Sequence, residues 1–160
     1  MNDVFLKKID ILLSSWEVKN MTLKDLFSQN DKNILYFYPK DDTPWCTLEN
    51  KDFSFLKNEF EKLWVKLFWI SKDSIESHKT FKTNHTLEVD LISDEDLELH
   101  KYFKTYWEKN NYWKIVFWVI RSTFLIDNNC DILKSWKSIK AKNHAQRILD
   151  ELKKNSLWKI

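Results

Sequence analysis

Apolar positions switch between two periods along the chain, and the order of the switches predicts its layout. Ile34 to Tyr38 is a short unbroken apolar run closed by Pro39, the pattern of a strand covered on both faces. Val65 to Ile70 reads as a second inner strand and Val89 to Ile92 as a shorter third. Between the first two, Phe53, Leu56, Phe60 and Leu63 recur at helical spacing in a segment running from Cys46 to Leu63. Ser71 to Ser74 opens another helix that runs to about Phe81. Ser14, Ser15 and Trp16 mark a first hairpin, followed by a short amphipathic turn over Thr22 to Phe27. Farther on, Asp94 to Phe103 reads as helix and Ile115 to Ile126 as β-rich. Asp127 to Cys130 is a hairpin turn, Asp131 to Lys137 returns from it, and Asn143 caps a last helix through Lys153. Strands alternating with helices predict one α/β domain over residues 1–160, with a central mixed β-sheet flanked by α-helices.

Composition narrows the partners. The net charge of +2 comes from 26 basic and 24 acidic residues that interleave, so no basic stripe exists to track a phosphate backbone, and no nucleic acid partner is expected. No apolar run approaches the ~20 residues that span a bilayer. The start, MNDVFLKKIDILL, carries Asp3 in a broken apolar stretch, unlike a secretory signal, so the expected location is cytoplasmic and away from membranes. His78, His85, His100 and His144 lack metal-ligand spacing with the cysteines and are expected at the surface or as caps, with no metal or cofactor. Two cysteines are too few for a disulfide framework, which turns attention to redox chemistry.

Two counts are unusual together: the chain has no glycine and nine tryptophans. Ordinary usage of ~7% predicts roughly eleven glycines in this length. Glycine reaches positive φ without a Cβ clash, and tryptophan is the least suited substitute for it. The pairing suggests a lineage that decodes UGA as glycine, translated here as tryptophan. Twenty-four lysines against two arginines fit the AT-rich gene in which such a reassignment arises.

The chemistry converges on Cys46. A thiol reacts as its thiolate, and a free cysteine of pKa ~8.5 is mostly protonated at neutral pH, so a reactive one needs its anion stabilised. Cys46 is expected at or near a helix N-terminus, where free N–H groups and the macrodipole favour negative charge. Arg121, one of the two arginines, supplies a planar charged fork from a strand remote in sequence.

The segment YFYPKDDTPWCT, Tyr36 to Thr47, resembles the active-site segment of peroxiredoxins, with Pro39, Thr43 and Cys46 forming PxxxTxxC. ISKDSIESHKTF (70–81), LISDED (91–96), IRSTFLID (120–127) and KNHAQRIL (142–149) are similar to the PrxQ or bacterioferritin-comigratory-protein subfamily. The resemblance spans roughly residues 9 to 152 and implies a thioredoxin-like fold. It implies a thiol-dependent peroxidase that reduces hydrogen peroxide and small organic hydroperoxides through a sulfenic acid on Cys46. In that reading Arg121 is the active-site arginine, Thr43 hydrogen-bonds the peroxide, Pro39 walls the pocket against water, and Glu49 is placed to orient Arg121.

Many members of the subfamily carry a resolving cysteine five residues after the first, where this chain has Lys51. Cys130 stands in a turn where the family usually has glycine. The expectation is therefore a one-cysteine enzyme, monomeric or weakly dimeric, reduced by thioredoxin, glutaredoxin or a small thiol. A non-catalytic thioredoxin-like module for redox sensing or binding is the alternative; the missing CxxC argues against a disulfide oxidoreductase. Trp16, Trp45, Trp64, Trp69, Trp107, Trp113 and Trp118 all fall where the subfamily commonly has glycine, whereas Trp136 stands where it favours an aromatic residue.

Overall fold

The three apolar runs become neighbouring strands at the centre of a seven-stranded mixed sheet. The computed structural model describes residues 3–41, 56–137 and 144–155. Strands β1 (Lys8–Leu12), β2 (Val18–Thr22), β3 (Lys32–Phe37), β4 (Val65–Ser71), β5 (Asp90–Ser93), β8 (Ser122–Asp127) and β9 (Ile132–Lys137) lie in the order β2-β1-β5-β4-β3-β8-β9. β6 (Tyr106–Asn111) and β7 (Lys114–Val119) form a separate two-stranded ladder. β3, β4 and β5 are parallel, and their outer neighbours β1 and β8 run antiparallel to them.

Parallel central strands are covered on both faces, which is why β3 and β4 are continuously apolar. Successive side chains alternate between two cores. Ile34, Tyr36, Tyr38, Leu67 and Trp69 join Phe81 and the helical residues Ile148, Leu149 and Leu152 on one face. Leu35, Phe37, Phe68 and Ile70 join Leu23, Phe27, Leu99 and Phe103 on the other. Each such side chain, once buried, contributes roughly 1.5–3 kcal/mol.

The helices are α1 (Leu23–Ser28), α2 (described over 56–61), α3 (Ile75–His85), α4 (Glu98–Tyr102) and α5 (His144–Asn155). Ser74 caps α3 by accepting the Ser77 N–H at 3.2 Å. The helix runs past Phe81 until Thr86 turns into the left-handed region at φ 51°. The helix expected over Asp94 to Phe103 is shorter, Glu98–Tyr102. Asp94 folds its carboxylate back onto the Leu99 and His100 N–H groups, at 3.3 and 2.9 Å, and Leu97 adopts φ 62°. That side-chain bond replaces the first helical turn. Asn143, the expected cap of α5, lies outside the described residues.

In a chain without glycine, every turn that needs positive φ places a Cβ there. Eight described residues do so, and three are tryptophans: Trp16 at 75°, Trp64 at 62° and Trp113 at 70°. Trp16 closes the β1–β2 turn, donating to Leu13 O at 2.9 Å while Leu13 N–H donates to Glu17 O at 2.8 Å. This is a type I turn followed by a left-handed bulge residue. The β8–β9 turn repeats it with Cys130 at φ 68°. Trp64 follows α2 as a left-handed C-terminal residue. Tyr112 and Trp113 form the two-residue β6–β7 loop, both at positive φ, the type I′ geometry that favours Asn-Gly. Trp107 and Trp118 stand opposite each other in that ladder. Trp136 differs from these, since its indole N–H donates to Glu151 at 2.6 Å and Lys134 sits 5.2 Å over the ring.

Candidate active site

The carboxyl ends of parallel strands are where open α/β sheets gather their functional groups. Here β3 ends at Phe37 and leads through Tyr38 into the PxxxTxxC segment, of which half-buried Pro39, Lys40 and buried Asp41 are described. Thr43, Cys46 and Glu49 lie outside the described residues. β8 runs antiparallel to β3 with Phe37 opposite Ser122, so Arg121, which immediately precedes β8, falls at the same edge as Pro39. It stands in the connection before the strand rather than on it.

Half-buried Arg121 donates from Nη1 to the Tyr36 hydroxyl at 3.3 Å. Tyr36 is fully buried, its ring nearly parallel to that of Tyr38 at 6.3 Å and 4.3 Å from that of Trp69. A rigid phenol thus fixes one arm of the guanidinium. Sequence reasoning missed Tyr36 because an aromatic residue in a buried strand is first of all core.

The histidines correct the expectation of exposed or capping residues. His78, His100 and His144 are buried at 0%, 0% and 2% exposure, each bound to a polar side chain. His144 shares a 2.8 Å hydrogen bond with Thr123, next to Tyr36. Burial, with the Arg147 charge adding to it, pulls its pKa from 6.5 down to about 3. The folded protein therefore holds His144 neutral where the unfolded chain protonates it. Stability from this group is present above 6.5 and is lost as pH falls from 6.5 towards about 3, by roughly a few kcal/mol in total. Urea unfolding across that window is expected to show a falling midpoint, with a shallower fall in His144→Asn.

Cys130 is buried, and its thiol is pushed up by burial and then by Asp127 and Asp131. It follows the far end of β8, a strand length of roughly 20 Å from Arg121. No group of three or more His, Cys, Asp or Glu able to hold a metal occurs among the described residues. No described helix is long and apolar enough to cross a membrane.

Known proteins share this architecture and sequence. Residues 6–135 match the AhpC/TSA family. The putative peroxiredoxin bcp of Helicobacter pylori (strain ATCC 700392 / 26695) is 42% identical over 143 residues, spanning 89% of this chain and 93% of that protein. Peroxiredoxin Bcp of Bacillus subtilis (strain 168) is 39% identical over 120 residues, spanning 75% and 76%. Among solved structures, the bacterioferritin comigratory protein of Xanthomonas campestris superposes with a TM-score of 0.84 at 33% identity, covering 96% of this chain and 94% of that one. The fold is accordingly the thioredoxin-like fold of these proteins, and with the match running from the start of the sheet almost to the end of β9, the chain belongs to the AhpC/TSA family as a peroxiredoxin of the Bcp/PrxQ kind.

Proposed function

We propose that this chain reduces hydrogen peroxide and small organic hydroperoxides with Cys46 as its only catalytic sulfur. The thiolate attacks one peroxide oxygen, an S–O bond forms as the O–O bond breaks, and the leaving oxygen departs as water or an alcohol after taking a proton. Thr43 holds the peroxide, Arg121 stabilises both the thiolate and the developing oxyanion, Pro39 limits water, and Glu49 orients Arg121. One external thiol then displaces water from the sulfenic acid to form a mixed disulfide, and a second thiol attacks the reductant's sulfur to release Cys46 and the oxidised disulfide of the reductant. Thioredoxin, glutaredoxin or a small thiol fills that role.

The observation that carries this reading is the position of Arg121. Two distant segments bring its guanidinium to the edge where Pro39 begins the PxxxTxxC segment, tied to Tyr36. The Xanthomonas relative was studied for alkyl peroxide reduction, which supports small hydroperoxides as substrates. A one-cysteine cycle is supported by Lys51 at the fifth position after Cys46 and by the protonated, buried state of Cys130 beyond the opposite end of β8.

The test is a single turnover. One equivalent of hydrogen peroxide added to the reduced protein, followed by dimedone, is expected to label Cys46 and leave Cys130 unlabelled. Label on Cys130 alone overturns the assignment. Stoichiometric oxidation without turnover in excess thiol would leave a sensor rather than an enzyme. Arg121→Ala should lower kcat/KM for peroxide by roughly 10²- to 10³-fold, the cost of losing one preorganised donor, as read by peroxide-dependent thiol consumption.

A further inference from the structure

Seven polar side chains are joined by hydrogen bonds beneath the exit of β3, five of them buried and two, Asp73 and Ser77, half-buried, and none belongs to the reaction as described above. The Asp41 carboxylate is their hub. One oxygen accepts the Tyr38 hydroxyl at 2.5 Å; the other accepts the Ser77 hydroxyl at 2.9 Å and His78 Nδ1 at 2.8 Å. The Asp41 N–H donates to Asp73 at 2.8 Å. Asp73 in turn accepts from Ser71 at 2.8 Å, and its carbonyl from Ser93 at 2.6 Å. His78 Nε2 meets the Ile92 carbonyl at 3.0 Å. The ring is thus held at both nitrogens, by a carbonyl at Nε2 and by the carboxylate at Nδ1, which also lies 3.5 Å from the Tyr38 hydroxyl. His78 is fully buried and the Asp41 side chain is 4% exposed. Burial first, and then the Asp41 charge, hold the Tyr38 phenol well above its ordinary pKa, so it remains a donor.

A buried polar cluster around a carboxylate is a poor means of gaining stability, because desolvation offsets most of its attraction and an apolar cluster of equal volume serves as well. Its strength is in fixing one geometry. This cluster joins the ends of β3, β4 and β5 to the first turn of α3, and its Asp73 carboxylate pins the Asp41 N–H, two residues before Thr43. We infer that the buried Asp41–His78 pair, with Tyr38 and Ser77, is a positioning device that fixes the entry of the PxxxTxxC segment and thereby the reactivity of Cys46. The inference rests on the assignment of Cys46 as the reacting sulfur.

The test uses the full chain with Cys130→Ser, so that Cys46 is the only thiol, and adds Asp41→Asn, His78→Gln or Ser77→Ala. Two rates are read for each: sulfenic acid formation with hydrogen peroxide, and alkylation by iodoacetamide across pH. Asp41→Asn and His78→Gln are expected to slow peroxide reduction by roughly 10²-fold, the effect of a small displacement at a reacting centre. They should also move the Cys46 alkylation profile to higher pH. Ser77→Ala, which removes one bond and little volume, is expected to give roughly a tenfold loss in a protein of unchanged near-UV circular dichroism. A folded Asp41→Asn or Ser77→Ala protein with the parent's peroxide rate and alkylation profile overturns the inference. If the parent itself does not react with peroxide, the peroxidase reading falls, and the alkylation profiles still decide whether the pair governs Cys46.

Discussion

Cys46→Ser is expected to reduce peroxidase turnover to the level of the uncatalysed reaction between peroxide and the thiol reductant. A serine hydroxyl is a far weaker nucleophile than a thiolate, so the covalent route closes rather than slows. The fall should be roughly 10⁶-fold, the lower end of enzymic acceleration, since Arg121 and Thr43 are left with no developing charge to stabilise. Cys130→Ser makes the opposite prediction, full turnover with an external thiol. Loss of turnover in Cys130→Ser while the first sulfenic acid still forms would make Cys130 a resolving residue and end the one-cysteine reading. Retention of rate in Cys46→Ser would end the mechanism altogether. Peroxide-dependent thiol consumption in excess reductant measures both.

The elements that sequence reasoning located well are those whose pattern follows from burial alone. β3 and β4 are apolar on both faces, and their short length, bounded by Pro39 and by Ser71 to Ser74, marks them as strands. β6 was not separated from its surroundings because Tyr106–Asn111 is mostly polar and its turn, Tyr112 and Trp113, lacks the Asn-Gly chemistry that announces a hairpin. The end of α3 and the start of α4 depended on single left-handed residues, Thr86 and Leu97, which no periodicity reveals. For the site, residue type and motif spacing pointed to Pro39 and Arg121, and the structure brings both to one edge of the sheet. The Asp41–His78 pair was not legible, since its members are brought together only by a parallel crossover between β3 and β4. A histidine in isolation carries no sign of the carboxylate it will meet.

Replacing Trp16, Trp64 and Trp113 together by glycine is expected to stabilise the protein by up to ~3 kcal/mol, the Trp113 change alone by ~1 kcal/mol. Each of the three holds positive φ in a turn that glycine would occupy without penalty, and an L-residue with a Cβ costs roughly 1–2 kcal/mol there. Glycine gives back roughly 0.5–1 kcal/mol through the entropy of the unfolded chain, so ~1 kcal/mol remains at each site. The sites lie in different turns, so their effects should add. No burial is lost at Trp113, which is 100% exposed, whereas Trp64 at 74% and Trp16 at 50%, with Lys82 5.0 Å over its ring, each give up part of a covered ring face that offsets some of the gain. Against a total of 5–15 kcal/mol, such a gain is large. Urea unfolding of the triple variant measures it, and an unchanged or lower midpoint would refute the strain argument. Trp136→Gly is the control: it removes a part-buried ring and the bond to Glu151, and should destabilise. The same geometry bears on what the native host synthesises. If UGA is read there as glycine, intact mass of the natively expressed chain will be lower by a tryptophan-to-glycine difference at positions 16, 64 and 113. It will also be lower at 69, 107 and 118 and at position 45 beside Cys46, with Trp136 retained. UGG at all of these codons would rule the recoding out and leave the protein carrying the strain measured by the triple variant.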